Sequence, residues 1–272
     1  MKLEADVKFQ KQMQNNAWEN LKAYTDARIA LGRVGGSLPT KPALAFQLAH
    51  AQAKDAVLKK MDNTLMYEKL SALAHEILSI ESCAIDKDIY LKRPDLGREL
   101  SEPSRQMLKT KAHEKAHYDV VIVLGDGLSA RAIEDNATPF VSALLEACQQ
   151  QMWSVAPLIL ASGSRVALGD EVAEILNADM LVMLIGERPG LSSPDSMGIY
   201  YTWKAHKGCH DAMRNCISNV RPAGLSNQIA LQRLMGLLQQ SKKLGISGVQ
   251  LKDEHEITAV IQETQTKIKQ LF

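Results

Sequence analysis

The residues best suited to contact a ligand lie in a glycine-rich loop, residues 186–198. The loop follows an apolar run, residues 180–185, which is typical of a buried parallel strand. It carries the charged pair Glu187 and Arg188 close to its start. Ligands of open α/β sheets bind at the carboxyl ends of strands, so this pair is a candidate ligand contact. A solvated turn is the alternative interpretation.

Similar loops follow other predicted strands. Segments 125–129 and 162–170 are rich in Gly, Ser and Asp, and 215–221 is a further candidate. Loops of this composition let backbone N–H and C=O groups approach a ligand closely. We expect them to converge on one edge of the sheet and to favour a large ligand with amide or phosphate groups over a small one.

The sequence offers few side chains for catalysis. It has neither a G-x-G-x-x-G opening a helix nor a phosphate-binding G-x-x-x-x-G-K-[ST] loop. Ser129 stands where a nucleophile elbow would place its serine, but Arg131 replaces the second glycine, so we predict a turn or cap residue. The alternative function, a stand-alone hydrolase or transferase acting on a phosphate ester or nucleotide, would need Ser129 as its nucleophile.

Metal and thiol chemistry are weakly indicated. His206 and His210 have the spacing of two ligands on one helix face, with Cys209 between them, but the surrounding residues favour a solvated loop. We therefore predict no metal site. Cys216 has no basic or helix-terminal neighbour in the sequence that would activate its thiol, so we predict a packing or contact residue.

The composition describes an ordinary globular protein. Apolar residues make up 46% and charged residues 23% of 272 residues. A net charge of +1 gives no reason to expect nucleic acid or an anionic membrane as a partner. The four cysteines have irregular spacing, which favours reduced intracellular thiols. Without an apolar signal region or a run of ~20 apolar residues, we expect a cytoplasmic location.

The order of predicted elements indicates an α/β fold. After residue 119, strands at 120–124, 157–161, 180–185 and 216–220 alternate with helices, which predicts a Rossmann-like parallel sheet with crossover helices. The predicted starts of those helices are Thr138-Pro139, Asp170 and Ser226. The last of them is expected to end at Gly245, and a final polar helix is expected after Asp253.

An N-terminal helical segment is predicted to precede the sheet. Its two main helices are expected at 42–60, which is rich in alanine, and at 64–80. The second is predicted from apolar residues that recur every three or four positions: Met66, Leu70, Leu73, Ile77 and Ile80. We therefore predict two domains, residues 1–105 and residues 106–272.

Several segments in order resemble the small subunit of ethanolamine ammonia-lyase. The main ones are residues 165–170, 186–196 and 214–222. Further support comes from 27–33, 37–40, 50–57 and 93–98, so that the resemblance runs from about residue 23 to about residue 253. An ordered match with many parts is more specific than any short motif.

The resemblance implies a function. The family's enzyme uses adenosylcobalamin to convert ethanolamine into acetaldehyde and ammonia by a radical route. Its large subunit, a TIM barrel, holds the substrate and the reacting groups. The Rossmann-like small subunit covers the other side of the corrin in a hetero-oligomer, and a bacterial microcompartment is the implied location. Carried over to this chain, the family's cobalamin contacts are Val166, Glu187 and Cys216, with no catalytic residue.

Two further expectations follow from the resemblance. The string that starts at Asp253 is the nearest to D-x-H-x-x-G, but it lacks the glycine, so the implied cofactor is base-on, with its own benzimidazole as lower ligand. The helices at 42–60 and 64–80 are candidates for the surface that contacts the large subunit. A third hypothesis for the function is that the chain is a purely structural partner whose alanine-rich helix docks to another chain. This hypothesis predicts unchanged cofactor affinity after Glu187→Ala.

Overall fold

The computed structural model describes residues 13–14 and 17–252. Its main sheet has six strands in the order β3-β5-β4-β6-β7-β8. These strands are β3 (Ile77–Glu81), β4 (Tyr118–Gly125), β5 (Leu158–Ser162), β6 (Ala178–Gly186), β7 (Met197–Trp203) and β8 (Arg214–Val220). The first four in spatial order are parallel to one another, whereas β7 pairs antiparallel with β6, and β8 pairs antiparallel with β7. A separate ribbon pairs β1 (Met13–Gln14) with β2 (Arg33–Val34).

Helices cover both faces of the parallel part of the sheet. They are α1 (Thr40–Leu58), α2 (Asn63–Ser71), α3 (Lys87–Lys92), α4 (Glu102–Ala112), α5 (Ala130–Gln150), α6 (Leu168–Ile175) and α7 (Asn227–Leu244). Residues of α2, α5 and α7 share one hydrophobic core with one face of the sheet. Residues of α4 and α6 form a second core with the opposite face. The predicted α/β class is confirmed.

The centre of the sheet explains why the strand predictions for 120–124 and 180–185 succeeded. Strands β4 and β6 pair along most of their lengths, and their apolar side chains enter the two cores alternately. A parallel strand that is buried on both faces requires a continuous apolar sequence, which both segments have. The carboxyl ends of β4, β5 and β6 therefore lie side by side at one edge of the sheet.

The antiparallel strands β7 and β8 are covered on one face and partly open on the other. Ile199, Tyr201 and Ile217 are buried in the core that contains α5 and α7. On the opposite face, Cys216 and Ser218 are exposed. Antiparallel strands can keep one face in contact with solvent. We call this surface, formed by Tyr200, Cys216 and Ser218, the open face.

The predicted helix at 64–80 is wrong in its second half. Helix α2 ends at Ser71, Ala74 has a positive φ of 52°, and Ile77–Glu81 forms β3, parallel to β5. The apolar spacing fitted a helix, but the unpaired edge of β5 offers these residues a full ladder of hydrogen bonds. The first part of the chain is thus not purely helical. The division at residue 105 stays a prediction.

Other predicted boundaries also need correction. Helix α5 begins at Ala130 with Ser129 as its N-cap, so Thr138-Pro139 is not a helix start and Pro139 lies inside the helix. Asp170 is in the first turn of α6 rather than at its cap. Strand β8 pairs antiparallel with β7 instead of extending the parallel part of the sheet. Strand β7, which lies between β6 and β8, was not predicted.

The helix at 42–60 and both ends of α7 were predicted correctly. Helix α1 spans Thr40–Leu58. Ser226 caps α7 by accepting a hydrogen bond from the Ile229 backbone N–H, and Gly245 ends the helix in the left-handed conformation, with φ 70°. The predicted helix after Asp253 lies outside the described residues. Within residues 17–252, no helix has both the length and the hydropathy needed to cross a membrane.

Candidate functional site

Glu187 lies at the junction of three segments. Its backbone N–H, directly after β6, donates to the Ser196 carbonyl at 2.9 Å. Its carboxylate accepts hydrogen bonds from the hydroxyls of Ser196 and Ser218, both at 2.5 Å, and from the Asn219 N–H at 3.2 Å. These bonds join the 186–198 loop to β8. A carboxylate has about four acceptor positions, so one remains for a ligand N–H group.

Gly198 leaves the space that Glu187 occupies. A Cβ atom at residue 198 would lie 2.9 Å from Glu187 Oε1, closer than such atoms normally approach. The side chain of Glu187 therefore lies across the β7 backbone at a position where only glycine fits without rearrangement. The glycine at residue 198 of β7 therefore makes room for the Glu187 side chain of the loop.

Cys216 lies on the open face, within β8 rather than in a loop. It is the cross-strand partner of Tyr200 on β7. Partial burial of the sulfur and the nearby charge of Glu187 raise the pKa of the Cys216 thiol. Burial likewise raises the pKa of Tyr200. Both groups are therefore neutral at pH 7, and Cys216 is suited to packing rather than nucleophilic attack.

Val166 lines a cleft beside the open face. The cleft has a volume of about 650 Å³ and also contains Tyr200. Val166 precedes α6 in the loop after β5, and both Val166 and Tyr200 pack against the core beneath α6. Val166, Tyr200, Cys216 and Glu187 therefore lie along one continuous surface. The structure brings the three predicted site residues to the same side of the sheet.

A buried ion pair forms one wall of the cleft. The two guanidinium NH2 groups of Arg214 on β8 each donate to one carboxylate oxygen of Asp170 on α6, with an Nη2–Oδ2 distance of 2.7 Å. Arg214 Nη2 also donates to the Cys209 carbonyl at 2.8 Å. Burial opposes the charge of Arg214, but its bonds to Asp170 outweigh that effect and raise its pKa. Sequence reasoning missed this pair, although both residues belong to the matched segments.

The remaining candidates have other roles. Ser129 is fully buried, donates to the Pro194 carbonyl at 2.7 Å and caps α5, as the cap prediction required. It cannot reach a substrate. Arg188 is exposed in the turn. His206 Nδ1 faces the Lys204 carbonyl at 3.1 Å. Among residues 17–252, no three His, Cys, Asp or Glu side chains are grouped to hold a metal ion.

These features define a class of protein. The site has a carboxylate fixed by three hydrogen bonds, a neutral thiol and a cleft lined by charged as well as apolar side chains. The class defined by the fold is an α/β protein with a mostly parallel six-stranded sheet, and its candidate ligand surface lies where the ends of β5 and β6 adjoin β7 and β8.

Comparison with known proteins identifies the family. The family model "Ethanolamine ammonia-lyase light chain (EutC)" matches residues 15–252, and the chain belongs to this family. Relatives named ethanolamine ammonia-lyase small subunit include that of Pseudomonas fluorescens, 48% identical over 260 residues, which cover 94% of each chain. The relative from Ralstonia nicotianae is 49% identical over 89% of this chain and 90% of its own length. The relative from Azotobacter vinelandii is 48% identical over the same shares. The predicted resemblance is confirmed.

Proposed function

We propose that this chain is the small subunit of an adenosylcobalamin-dependent ethanolamine ammonia-lyase and forms one wall of the cobalamin site. The large subunit, a TIM barrel, would complete that site and carry the groups that act on ethanolamine. The observation that supports the proposal is the placement of Val166, Glu187 and Cys216 along one surface, next to an open sheet face. Cobalamin supplies the radical chemistry when bound.

The residues present fit a corrin. Cobalamin offers a broad, mainly apolar ring with amide side chains around its edge. The open face is formed by two strands, and Tyr200 and Cys216 present uncharged side chains on it. Val166 adds an apolar contact, and Glu187 keeps an acceptor position for an amide N–H group. This chain would thus bind and orient the cofactor and exclude water, without a catalytic residue of its own.

The lower ligand is proposed to be the cofactor's benzimidazole. None of the strand-end loops 125–129, 162–170 and 186–198 contains a histidine, and the string that starts at Asp253 lies outside the described residues. A base-on cofactor needs no histidine from this chain. The proposed location, inside a bacterial microcompartment, rests on the family resemblance alone.

Helix α1 is the proposed contact with the large subunit. Leu44, Phe46 and Leu48 are exposed, and only Ala53 and Ala56 of this helix are buried. Exposed apolar residues clustered on one helix mark a protein contact. The other predicted contact helix, α2, buries Met66 and Leu70 in the chain's own core. Its apolar side chains are therefore not available for contact with the large subunit.

The test is cobalamin affinity of the two-subunit complex. Both chains are co-expressed, and cyanocobalamin is titrated while the visible spectrum is followed. Glu187→Ala is expected to weaken binding by roughly tenfold or more, since a hydrogen bond to a charged group is lost. Glu68→Ala, at an exposed position on α2, is the matched control and should bind normally.

Two outcomes would contradict the proposal. Normal affinity of the Glu187→Ala complex would favour a purely structural subunit. Turnover of ethanolamine by this chain alone would show that it carries the reacting groups. The expected result is turnover only when both subunits are present.

A further inference from the structure

The cleft beside the open face holds two arginines without an acidic partner. Arg98 and Arg165 both line it, together with Val166. Neither forms an ion pair with a carboxylate of the described residues, and Arg98 is exposed. Two uncompensated guanidinium groups in one cleft attract an anion. Residues 93–98, which include Arg98, are among the segments that match the family but have no role in the site described above.

The acidic residues of the cleft are almost all neutralised within the chain. The pairs are Asp95 with Arg93, Glu99 with Lys207, Asp170 with Arg214 and Glu171 with Arg105. Asp211 is the exception, because its exposed carboxylate is 3.7 Å from the Nε of the already paired Arg214. Most of these carboxylates therefore already have a basic partner, and Arg98 and Arg165 stay without an ion-pair partner among the described residues.

Arg165 is held in place before any ligand binds. Its guanidinium lies 4.1 Å from the centre of the Tyr90 ring, and its Nη2 donates to the Tyr90 carbonyl at 3.1 Å. Its buried Nε has no hydrogen-bond partner in the described part of the chain. A guanidinium that is already fixed loses little conformational entropy when it binds a planar or tetrahedral oxyanion.

The two arginines belong to adjoining backbone segments. The Arg165 N–H donates to the carbonyl of Gly97 at 2.7 Å, and Arg98 follows directly in the chain. Gly97 permits this approach, because a Cβ there would be 2.9 Å from Arg165 Cγ and 3.0 Å from the Gly163 carbonyl. The short glycine contact fixes the position of the Arg98 backbone relative to Arg165.

We propose that Arg98 and Arg165 bind the phosphodiester of the cobalamin nucleotide tail. Arginine recognises phosphate through parallel N–H donors, and the phosphodiester is the anionic group of this cofactor. Val166 in the same cleft would then contact the corrin edge while the two arginines hold the tail. The inference rests on the proposed cobalamin site and assigns it a phosphate subsite.

The experiment compares two corrinoids that differ in the tail. The two-subunit complex is titrated with cyanocobalamin and with dicyanocobinamide, which lacks the phosphodiester and the nucleotide. Arg98→Gln is expected to weaken cyanocobalamin binding by roughly ten- to hundredfold and to leave cobinamide binding unchanged. Arg165→Lys, which keeps the charge but loses the planar donors, is expected to act in the same direction.

Controls separate the subsite from the site that contains it. Arg131→Gln removes the same charge from an exposed position on α5 and should alter neither affinity. Equal losses for both corrinoids, or no loss for either, in the Arg98 and Arg165 variants would overturn the phosphate subsite. If Glu187→Ala also leaves both affinities unchanged, the cobalamin site itself fails. Thermal melts of each complex confirm that the variants are folded.

Discussion

Removing the carboxylate of Asp170 is expected to destabilise the protein strongly. The side chains of Asp170 and Arg214 are only 1% and 3% exposed, and two hydrogen bonds join them. In Asp170→Asn, the guanidinium stays buried without its countercharge, and the amide of Asn offers one acceptor oxygen in place of two. Breaking a buried pair on one side costs about 3–5 kcal/mol of unfolding free energy. With an m-value of about 3 kcal/mol/M, the urea midpoint should fall by about 1 M or more.

The measurement is urea unfolding of the full chain by circular dichroism. A double variant, Asp170→Leu with Arg214→Met, provides the comparison, because it removes both charges and leaves neither unpaired. It should be more stable than Asp170→Asn, since replacing a buried pair by apolar residues is often neutral. A midpoint for Asp170→Asn within about 0.2 M of wild type would refute the reasoning, because it would mean that water reaches Arg214.

Three further predictions concern other parts of the fold. Gly127 has φ 55°, and a Cβ atom at this residue would lie 2.3 Å from the Gly186 carbonyl oxygen. Gly127→Ala should therefore lower the free energy of unfolding by at least about 2 kcal/mol in the same urea assay. Gly36→Ala is the control and should leave it unchanged, because a Cβ atom at Gly36 would contact nothing. Hydrogen bonds from Lys242 and Ser154 outweigh burial and lower the pKa of Asp119 to about 2, below its ordinary 3.8. The ionised Asp119 carboxylate therefore stabilises the fold above about pH 5, and this stabilisation is lost as the pH falls towards 2. Between pH 6 and pH 3, the free energy of unfolding should fall less in Asp119→Asn than in wild type. Leu48→Glu on α1 should reduce co-purification with the large subunit, and Leu244→Glu, equally exposed at the end of α7, should not.

Local sequence predicts the centre of this sheet better than its edges. Strands β4 and β6 are buried on both faces, so each needs a continuous apolar run that is visible without knowledge of the neighbours. Strand β3 depends on pairing with β5, which lies far along the chain. Its residues Ile77 and Ile80 also continue the helical spacing of α2, and no local signal chooses between the two structures.

The location of the candidate site was predictable, but its internal contacts were not. Loops after adjacent parallel strands converge, which indicated the edge where Glu187 and Val166 lie. The identity of these residues and of Cys216 as cofactor contacts came from family resemblance and stays a prediction. The partnership of Tyr200 with Cys216 depends on the register between β7 and β8, which no local pattern reveals.

Strand β3 affects how the protein can be divided for expression. It protects the outer edge of β5 over five consecutive residue pairs, Ile77 with Leu158 through Glu81 with Ser162. A fragment that starts at residue 106 would expose that edge as a row of unpaired backbone groups, which readily recruit a strand from another molecule. Such a truncation should therefore aggregate, whereas one that starts shortly before Ile77 keeps β5 paired with β3.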